Sequence, residues 1–558
     1  MFKRNCLSVQ YDITLKALVE TVLQTKSKYD EFGFTLVKKE NKFVGLISRG
    51  DFISLIDKDK SKSMLVHDLM NKTPIVFTVN SPFENSWYQE LYDFLINLKK
   101  IPTIIPVNNR KSEVISVIDT AAFLASRNRV TKIAVYGMGF VGLTLAVALA
   151  NSGYKVTGID RNQNLIEDLI NKELHIHEDG LQLAVKSALD QGNLTFTSSE
   201  FSNCDIYIIA VGTPIDDGAV DTFALESVSC AIAKRLKVNQ TIIVRSTVPA
   251  GTCQSLVLKT IEKYSGLKAG VDFKLAFAPE RTIEGQAYNE LFTLPQIVGG
   301  LTQECAYAAG EVFRKLTSKI IYLDTMEEAE FCKLLNNSYR DLTFAFSNAF
   351  ALSIQDTNID AAKVLHAAGL DYVRGKLPKP SPGVGGYCLT KDPQLLKASL
   401  TEYSMLGKFT ELGRQTNEAS ILLPIQRFEN FIRTNNIQEA LNILVVGVAF
   451  KGNPETNDIR GSTSIIIGKK LSDMGHSVFY HDCVLNEDEL EKKGFKSTNQ
   501  EVEYFDAIFL LNDHVNNPNK FWTYFKKEKT KFICDAWSQI NPASLPSSIQ
   551  FATLTKNY

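Results

Sequence analysis

From Thr131 the chain reads TKIAVYGMGFVGLTLAVALANSGYKVTGID, in which a short apolar run, Ile133 to Tyr136, meets a glycine-rich turn, a long apolar stretch and a second run closing on Asp160. Short apolar runs bounded by turn residues fit strands buried on both faces, and the stretch between them fits a crossover helix. The pattern predicts a strand–helix–strand unit with parallel strands. Downstream, ILVVGVAFKGNPETNDIRGSTSIIIGKKLSDMGHSVFYHD repeats the plan, from Ile443 to Asp482. From about Met326 to Arg427 the apolar positions follow helical periodicity, interrupted only by the Pro/Gly-rich KLPKPSPGVGGYC. Ahead of the first unit, across a polar stretch from Ser126 to Thr131, lie roughly 130 residues that read as short strands and helices and belong to a separate domain.

The 558 residues leave room for three or four domains. With 61 Lys+Arg against 62 Asp+Glu the formal charge is -1, so no global basic field exists to hold nucleic acid or an anionic membrane, and any anion must be met by locally placed cations. Hydrophobic content of 44% and charged content of 22% match ordinary globular chains and argue against disordered, fibrous and membrane classes. The N-terminal MFKRNCLSVQYDITLKALVE has no apolar core of a secretory signal, and a cytoplasmic protein is expected. Nine cysteines stand singly from Cys6 to Cys534 with no CxxC pair, which suits free thiols better than disulfides or zinc; no metal site is expected.

Gly137, Gly139 and Gly142 form G-x-G-x-x-G between a strand and a helix. The first glycine permits the tight turn, the second lets a pyrophosphate approach the backbone, and the third lets helix and strand pack closely. Asp160, 18 residues beyond Gly142, stands where a carboxylate takes ribose hydroxyls and repels a 2′-phosphate, favouring NAD over NADP; the adjacent Arg161 could stack on adenine or accept that phosphate.

Six further blocks follow in order: VGTP at 211–214, STVPAGT at 246–252, APERTIEG at 278–285, A-E-x-x-K-x-x-x-N at 329–337, GVGGYC-x-x-K-D at 383–392 and AFKG at 449–452. Over almost everything from 131 to 540 the chain resembles the UDP-glucose/GDP-mannose dehydrogenase family. Asn336-Asn337-Ser338-Tyr339-Arg340-Asp341, with Ala345-Phe346-Ser347-Asn348, is similar to the branch acting on UDP-N-acetyl-hexosamines, whereas Tyr387 stands where that branch more often has histidine and Lys391 resembles the glucose enzymes.

The chemistry can be argued from the residues. Oxidising a primary alcohol to an acid removes two hydrides, and the second can leave only from a tetrahedral carbon, so the intermediate aldehyde must first gain a nucleophile. Cys388, after a glycine-rich turn, supplies a thiol that nearby cations could hold as thiolate. Lys333 and Asn337, four apart on one helix face, offer a cation and an amide to the oxygen that becomes charged. The resemblance implies that Asp392 orients water or shares a proton, that Glu280 is the base in thioester hydrolysis and that Thr213 orients water. It implies cofactor contacts at Phe140, Val141, Thr213, Thr247, Lys391 and, more loosely, Glu284. For the UDP-sugar it implies Lys333, Asn337, Arg340, Gly385, Lys451 and Arg460, with Arg374 reaching in from a neighbouring subunit; Gly461 replaces the usual glutamate beside Arg460.

The expected fold class is α/β: two Rossmann-like domains joined by a central helical dimerisation region, preceded by a small α/β domain that resembles a tandem CBS pair. Expected bounds are 1–128 for the CBS-like pair, 129–325 for the NAD domain, 326–430 for the central region with the cysteine loop, and 431–558 for the UDP-sugar domain. In the CBS-like pair, Gly45, Ser48 and Asp51 resemble that family's nucleotide-ribose positions, while the second copy departs with Ile115, Ser116 and Asp119, so at most one adenine-nucleotide pocket is expected. The expected activity is NAD-dependent four-electron oxidation at C6 of UDP-GlcNAc or UDP-ManNAc by a homodimer or higher homo-oligomer. The competing readings are a UDP-glucose 6-dehydrogenase, a two-electron hydroxyacid-type dehydrogenase, which Cys388 argues against, and a nucleotide-sensing protein with an inactive dehydrogenase portion.

Overall fold

The computed structural model describes residues 7–25, 34–48, 64–79, 86–121, 123–124, 130–199, 204–216, 219–357, 359–500 and 502–557. The chain divides into two compact units, Met1–Val130 and Thr131–Tyr558.

The first unit contains two copies of one topology. Strands β1 (Leu7–Gln10), β2 (Phe34–Lys39) and β3 (Lys42–Ser48) form one sheet, and β4 (Phe77–Thr78), β5 (Ile104–Asn108) and β6 (Val114–Asp119) the other. In each the first pair is parallel and the second antiparallel, and each second pair carries a register shift at the same place, Val37/Lys38 and Val107/Asn108. Leu36, Ile104 and Val117 form an apolar seam between the copies, and Phe43 N–H donates to Ser112 O at 3.0 Å. In equivalent register Ser116 takes the place of Gly45, and Asp119 takes the place of Ser48. The expected Asp51 lies outside the described residues, as do Arg49 and Gly50.

The second unit opens with an eight-stranded sheet built on β7 (Lys132–Tyr136), β8 (Lys155–Ile159), β9 (Leu194–Thr197) and β10 (Ile206–Ile209). It continues through β13 (Thr241–Val244), β14 (Lys274–Phe277), β15 (Gln296–Gly300) and β16 (Ile320–Leu323), while β11 (Ile215–Asp216) and β12 (Ala219–Val220) form a small hairpin. The order β9-β8-β7-β10-β13-β14 is a doubly wound parallel sheet whose direction of winding reverses between β7 and β10. Ile133 and Val135 pack into one core and Ala134 and Tyr136 into the other, so both faces are buried and the strand reads as continuously apolar.

The last sheet, β17 (Asn442–Val446), β18 (Ser477–His481), β19 (Ala507–Leu510), β20 (Phe532–Asp535) and β21 (Gln550–Ala552), is wholly parallel in the order β18-β17-β19-β20-β21. Both large sheets use one device at the first turn. Asp160, after β8, accepts from Met138 N–H at 2.8 Å, and Asp482, after β18, accepts from Val448 and Ala449 N–H at 2.7 and 2.9 Å. A carboxylate at the end of the second strand thereby fixes the turn after the first.

The central region is helical, with more breaks than the single Pro/Gly interruption expected: of helices Met326–Ser353, Ala361–Gly369, Tyr387–Ala398, Met405–Ala419 and Leu422–Thr434, the first also ends at Ser353 and the third at Ala398. The first starts at a capping box in which Thr325 and Glu328 satisfy each other's backbone N–H groups. Among the described residues no helix is long and apolar enough to cross a membrane.

Candidate active site

Helix α1 (Phe140–Asn151) begins in the G-x-G-x-x-G turn with Gly139 as its N-cap. Gly137 has φ +92°, and a Cβ on Gly142 would collide with the Gly137 carbonyl oxygen, so strand, turn and helix close on one another. Nothing lies within 4 Å of a Cβ built at Gly139. That opening stands at the helix N-terminus and at the sheet's switch point, where N–H groups and the helix dipole favour a pyrophosphate. Asp160 takes one backbone N–H on each carboxylate oxygen, from Met138 and Asn162, which keeps it aimed at the turn. Arg161 beside it is exposed, and Phe140 and Val141 are half-buried at the helix start. These residues fit an NAD adenosine and pyrophosphate.

The surroundings of Cys388 come from four separate segments. Cys388 is the second residue of α3 (Tyr387–Ala398), where α2 (Met326–Ser353) supplies Lys333 and Asn337. Asn337 donates its amide to Asp392 at 2.5 Å, Lys391 Nζ faces the other Asp392 oxygen at 3.2 Å and donates to Thr213 Oγ1 at 3.2 Å, and Thr213 in turn donates to Thr247 O at 2.5 Å. One chain of hydrogen bonds thus ties the cysteine helix to the two loops after β10 and β13. Lys333, Lys391, Asp392 and Thr213 are all buried. The Asn337 amide was expected to face the substrate and the Asp392 carboxylate to orient water or share a proton; each is bonded to the other.

Part of the Cys388 surface meets solvent, yet protein atoms crowd the sulfur. That desolvation, with the charges of Asp392 and Glu284 opposed by Lys333 and Lys391, pushes the thiol up to about 11. The cations that could have held a thiolate are thus opposed here by carboxylates, and the balance favours the thiol form.

Glu280 also differs from expectation. It is buried, ion-paired with Arg245, and accepts from Arg281 and Thr282 N–H at 2.7 and 2.9 Å. Burial alone would raise its carboxyl, but Arg245 and the Thr282 amide, with a smaller contribution from Lys333, hold it below the ordinary value. A carboxylate so fully engaged is a poor proton acceptor and a good anchor. Arg245, one residue before the STVPAGT block, also donates to Ala278 O at 3.0 Å and Gln296 Oε1 at 3.1 Å. By contrast, burial and then the Asp458 charge push Glu284 up to about 7, against Arg460 and Lys451, and its Oε2 is buried without a hydrogen-bond partner.

The cations of the C-terminal sheet reach the same cleft. Lys451 Nζ donates to Glu284 O at 2.6 Å, and burial lowers it to about 8 despite Glu284. Arg460 forks onto Asp458, with Nε at 3.0 and 2.9 Å and a terminal nitrogen at 2.7 Å, and lies 3.8 Å from Glu284 Oε1. Arg340 is close enough for the Cys388 thiol to act on its charge. Arg374 stands apart on an exposed strap, its guanidinium 5.8 Å from the Tyr372 ring centre.

Several supports had no local signature in the sequence. Arg414 pairs with Asp341 at 2.7 Å and reaches Val384 O at 3.4 Å, bracing the loop before Cys388. Asn348 accepts from Ser381 N–H at 2.8 Å and donates to Asn417 at 2.9 Å. Glu178 accepts from the backbone of Gly285 and Ala287, and Asn457 clasps the backbone of His175 and His177 at 3.2 and 3.0 Å. Asp341, Asn348, Ser381, Val384, Gly285 and Asn457 lay in quoted stretches, and none was given a role in these contacts.

Comparison with known proteins adds to this geometry. Residues 131–317 match the NAD binding domain model of the UDP-glucose/GDP-mannose dehydrogenase family, 327–419 its central domain and 444–542 its UDP binding domain. A UDP-N-acetyl-D-mannosamine dehydrogenase from Pyrococcus horikoshii is 31% identical over 414 residues, covering 72% of this chain and 94% of that protein. One from Escherichia coli is 30% identical over 352 residues, covering 61% and 82%. The solved structure of a UDP-D-ManNAc dehydrogenase from P. horikoshii superposes with a TM-score of 0.68 at 28% identity, covering 76% of this chain and 99% of that one.

Proposed function

Because the chain belongs to the UDP-glucose/GDP-mannose dehydrogenase family, we propose that it oxidises the C6 alcohol of a UDP-N-acetyl-hexosamine, UDP-N-acetylmannosamine foremost, to the uronic acid. The balance is R–CH2OH + 2 NAD+ + H2O → R–COO− + 2 NADH + 3 H+. The observation that carries the reading is the position of Cys388 at the start of a helix bonded through Asp392, Lys391 and Thr213 to the loop at the cofactor-side switch point.

The chemistry that NAD supplies when bound is hydride acceptance, twice per sugar. Gly137, Gly139 and Gly142, with Phe140 and Val141, hold its pyrophosphate end and Asp160 its adenosine ribose. Thr213, Thr247 and Lys391 line its reacting end. Cys388 Sγ adds to the aldehyde carbon: the C–S bond forms, the carbonyl pair moves to oxygen, and the thiol proton leaves to a base. Lys333 supplies positive charge beside that oxygen. At the oxidation level of acid the sugar is a thioester, and water then cleaves the C–S bond and returns the thiol. Glu284, poised near neutrality beside Cys388, is better placed than Glu280 to carry these protons. Lys451, Arg460 and Arg340 meet the diphosphate, with Gly385 leaving room beside it.

The protein is further proposed to act in the cytoplasm as a homodimer. Leu335, Tyr339 and Phe346 on α2 and Met405, Phe409 and Leu412 on helix Met405–Ala419 form exposed apolar stripes, which a second copy would cover. Arg374 would then reach the partner's substrate. The repeated topology and shared register of the first unit support a CBS-like pair, and an adenine nucleotide in at most one of its pockets is part of the proposal. A panel of UDP-ManNAc, UDP-GlcNAc and UDP-glucose with NAD tests the substrate: the highest kcat/KM is expected with UDP-ManNAc, and a preference for UDP-glucose would move the chain to the other branch.

A further inference from the structure

Tyr387 immediately precedes the nucleophile, and nothing so far gives it a role. Its ring touches three segments of the cleft. The Arg460 guanidinium lies 4.8 Å from the ring centre and Lys391 Nζ 5.4 Å from it. A Cβ built on Gly212 would lie 3.8 Å from its hydroxyl, so the phenol tip reaches the loop after β10. Asp458 holds one edge of Arg460 through three short contacts, and the Tyr387 ring covers a face, which leaves the guanidinium with little freedom to swing. The backbones are locked as well. Gly461 follows Arg460 with φ +65°, and a Cβ on Gly385 would come within 2.5 Å of its carbonyl oxygen. The loop carrying Arg460 therefore lies backbone to backbone against the turn that carries Tyr387 and Cys388.

We propose that Tyr387 is a positioning residue whose ring, acting as a cation platform, holds Arg460 of the C-terminal domain at a fixed place relative to Cys388, so that gripping the substrate's diphosphate also sets the sugar's distance from the thiol. The inference rests on the reading of the cleft as a UDP-sugar site. The ring does this work through its π face, which attracts the guanidinium in a partly desolvated setting. The hydroxyl takes no part in holding Arg460. Lys391, on the same helix, meets the ring while remaining bonded to Thr213, so the platform sits between the cation of the nucleotide side and the cation of the cofactor side.

The test compares Tyr387→Phe and Tyr387→Leu in the full-length protein, alone and combined with Arg460→Ala, reading UDP affinity by calorimetry, KM and kcat for the UDP-sugar, and NAD affinity. Tyr387→Phe is expected to keep UDP affinity and sugar KM within about twofold of wild type, whereas Tyr387→Leu weakens both by roughly 3- to 30-fold, the range for a partly buried cation–π contact. NAD affinity stays level in both, which also shows that the variants fold. In the Arg460→Ala background Tyr387→Leu has no further effect on UDP affinity, since the group it holds is gone. The proposal is overturned if Tyr387→Phe loses as much as Tyr387→Leu, if Leu behaves as wild type, or if the Leu defect persists undiminished without Arg460. Wild-type protein that binds NAD but neither binds UDP nor oxidises any UDP-sugar would overturn the functional reading itself.

Discussion

Replacing Glu280 by glutamine separates an anchor from a base. The substitution keeps the shape of the side chain but removes the charge facing Arg245, which is 1% exposed and whose other hydrogen bonds go to neutral oxygens, Ala278 O and Gln296 Oε1. Removing one member of a buried ion pair strands the other and costs about 3–5 kcal/mol. At about 2–4 °C per kcal/mol for a domain of 150–250 residues, the range into which the 131–317 domain falls, melting should drop by roughly 6–20 °C. The pH dependence has a definite sign. Because the folded-state carboxyl is held below its ordinary value, the pair's contribution is complete above the unfolded carboxyl pKa and is lost as pH falls through the folded one. The gap between wild type and Glu280→Gln in differential scanning fluorimetry should therefore be widest near neutrality and close in acid. A base would behave otherwise: the variant would melt within about 2 °C of wild type, release a burst of two NADH per site and stall with the sugar on Cys388. That outcome would refute the anchoring argument.

The remaining expectations are local. Iodoacetamide labelling of Cys388, followed by peptide mass spectrometry on substrate-free protein, should accelerate about tenfold per pH unit from 7 to 10, because the thiol sits near 11; a plateau below pH 8 would show a stabilised thiolate. Gly142→Ala should abolish NAD binding measured by fluorescence while UDP binding persists, since the new methyl meets the Gly137 carbonyl oxygen; retained NAD affinity would mean that the turn can open. Asp160→Ala should narrow the NAD over NADP ratio of kcat/KM by at least tenfold, the loss of a repulsion on the order of a few kcal/mol; an unchanged ratio would place discrimination elsewhere. Arg374→Ala and Cys388→Ala, each inactive, should regain up to about half the wild-type rate per mixed dimer when subunits exchange; a dead mixture with heterodimers confirmed by mass spectrometry would place Arg374 in its own subunit's site.

What the sequence disclosed and what it withheld divide along chain separation. The cofactor turn was legible because its parts are contiguous: strand, three glycines and helix lie within 20 residues of one another, and Asp160 follows at the next strand end. Lys333 and Asn337 were legible as residues of one helix, and the blocks around Cys388 singled out the cysteine that the structure sets at the start of its own helix. The braces were not legible. Arg245–Glu280, Arg414–Asp341 and Glu178–Gly285 join residues 35, 73 and 107 positions apart, and no local periodicity encodes such pairings. The balance of charge at Cys388 was illegible for a related reason: residue types gave both cations and carboxylates, and only the folded chain brings Asp392 and Glu284 to act on the thiol against Lys333 and Lys391. Likewise Asn337 was assigned to substrate and Asp392 to water or a proton because nothing in their spacing reveals that they bind each other.

The central claim is that Cys388 retains the aldehyde so that both oxidations occur at one site, and the NADH yield against limiting substrate tests it most directly. With UDP-ManNAc held below the enzyme's NAD supply, absorbance at the end point should correspond to two NADH per sugar with the uronic acid as the sole product, and Cys388→Ser should make no net acid while binding NAD as wild type does. One NADH per sugar with free aldehyde accumulating, or acid formed by Cys388→Ser at near the wild-type rate, would contradict the account.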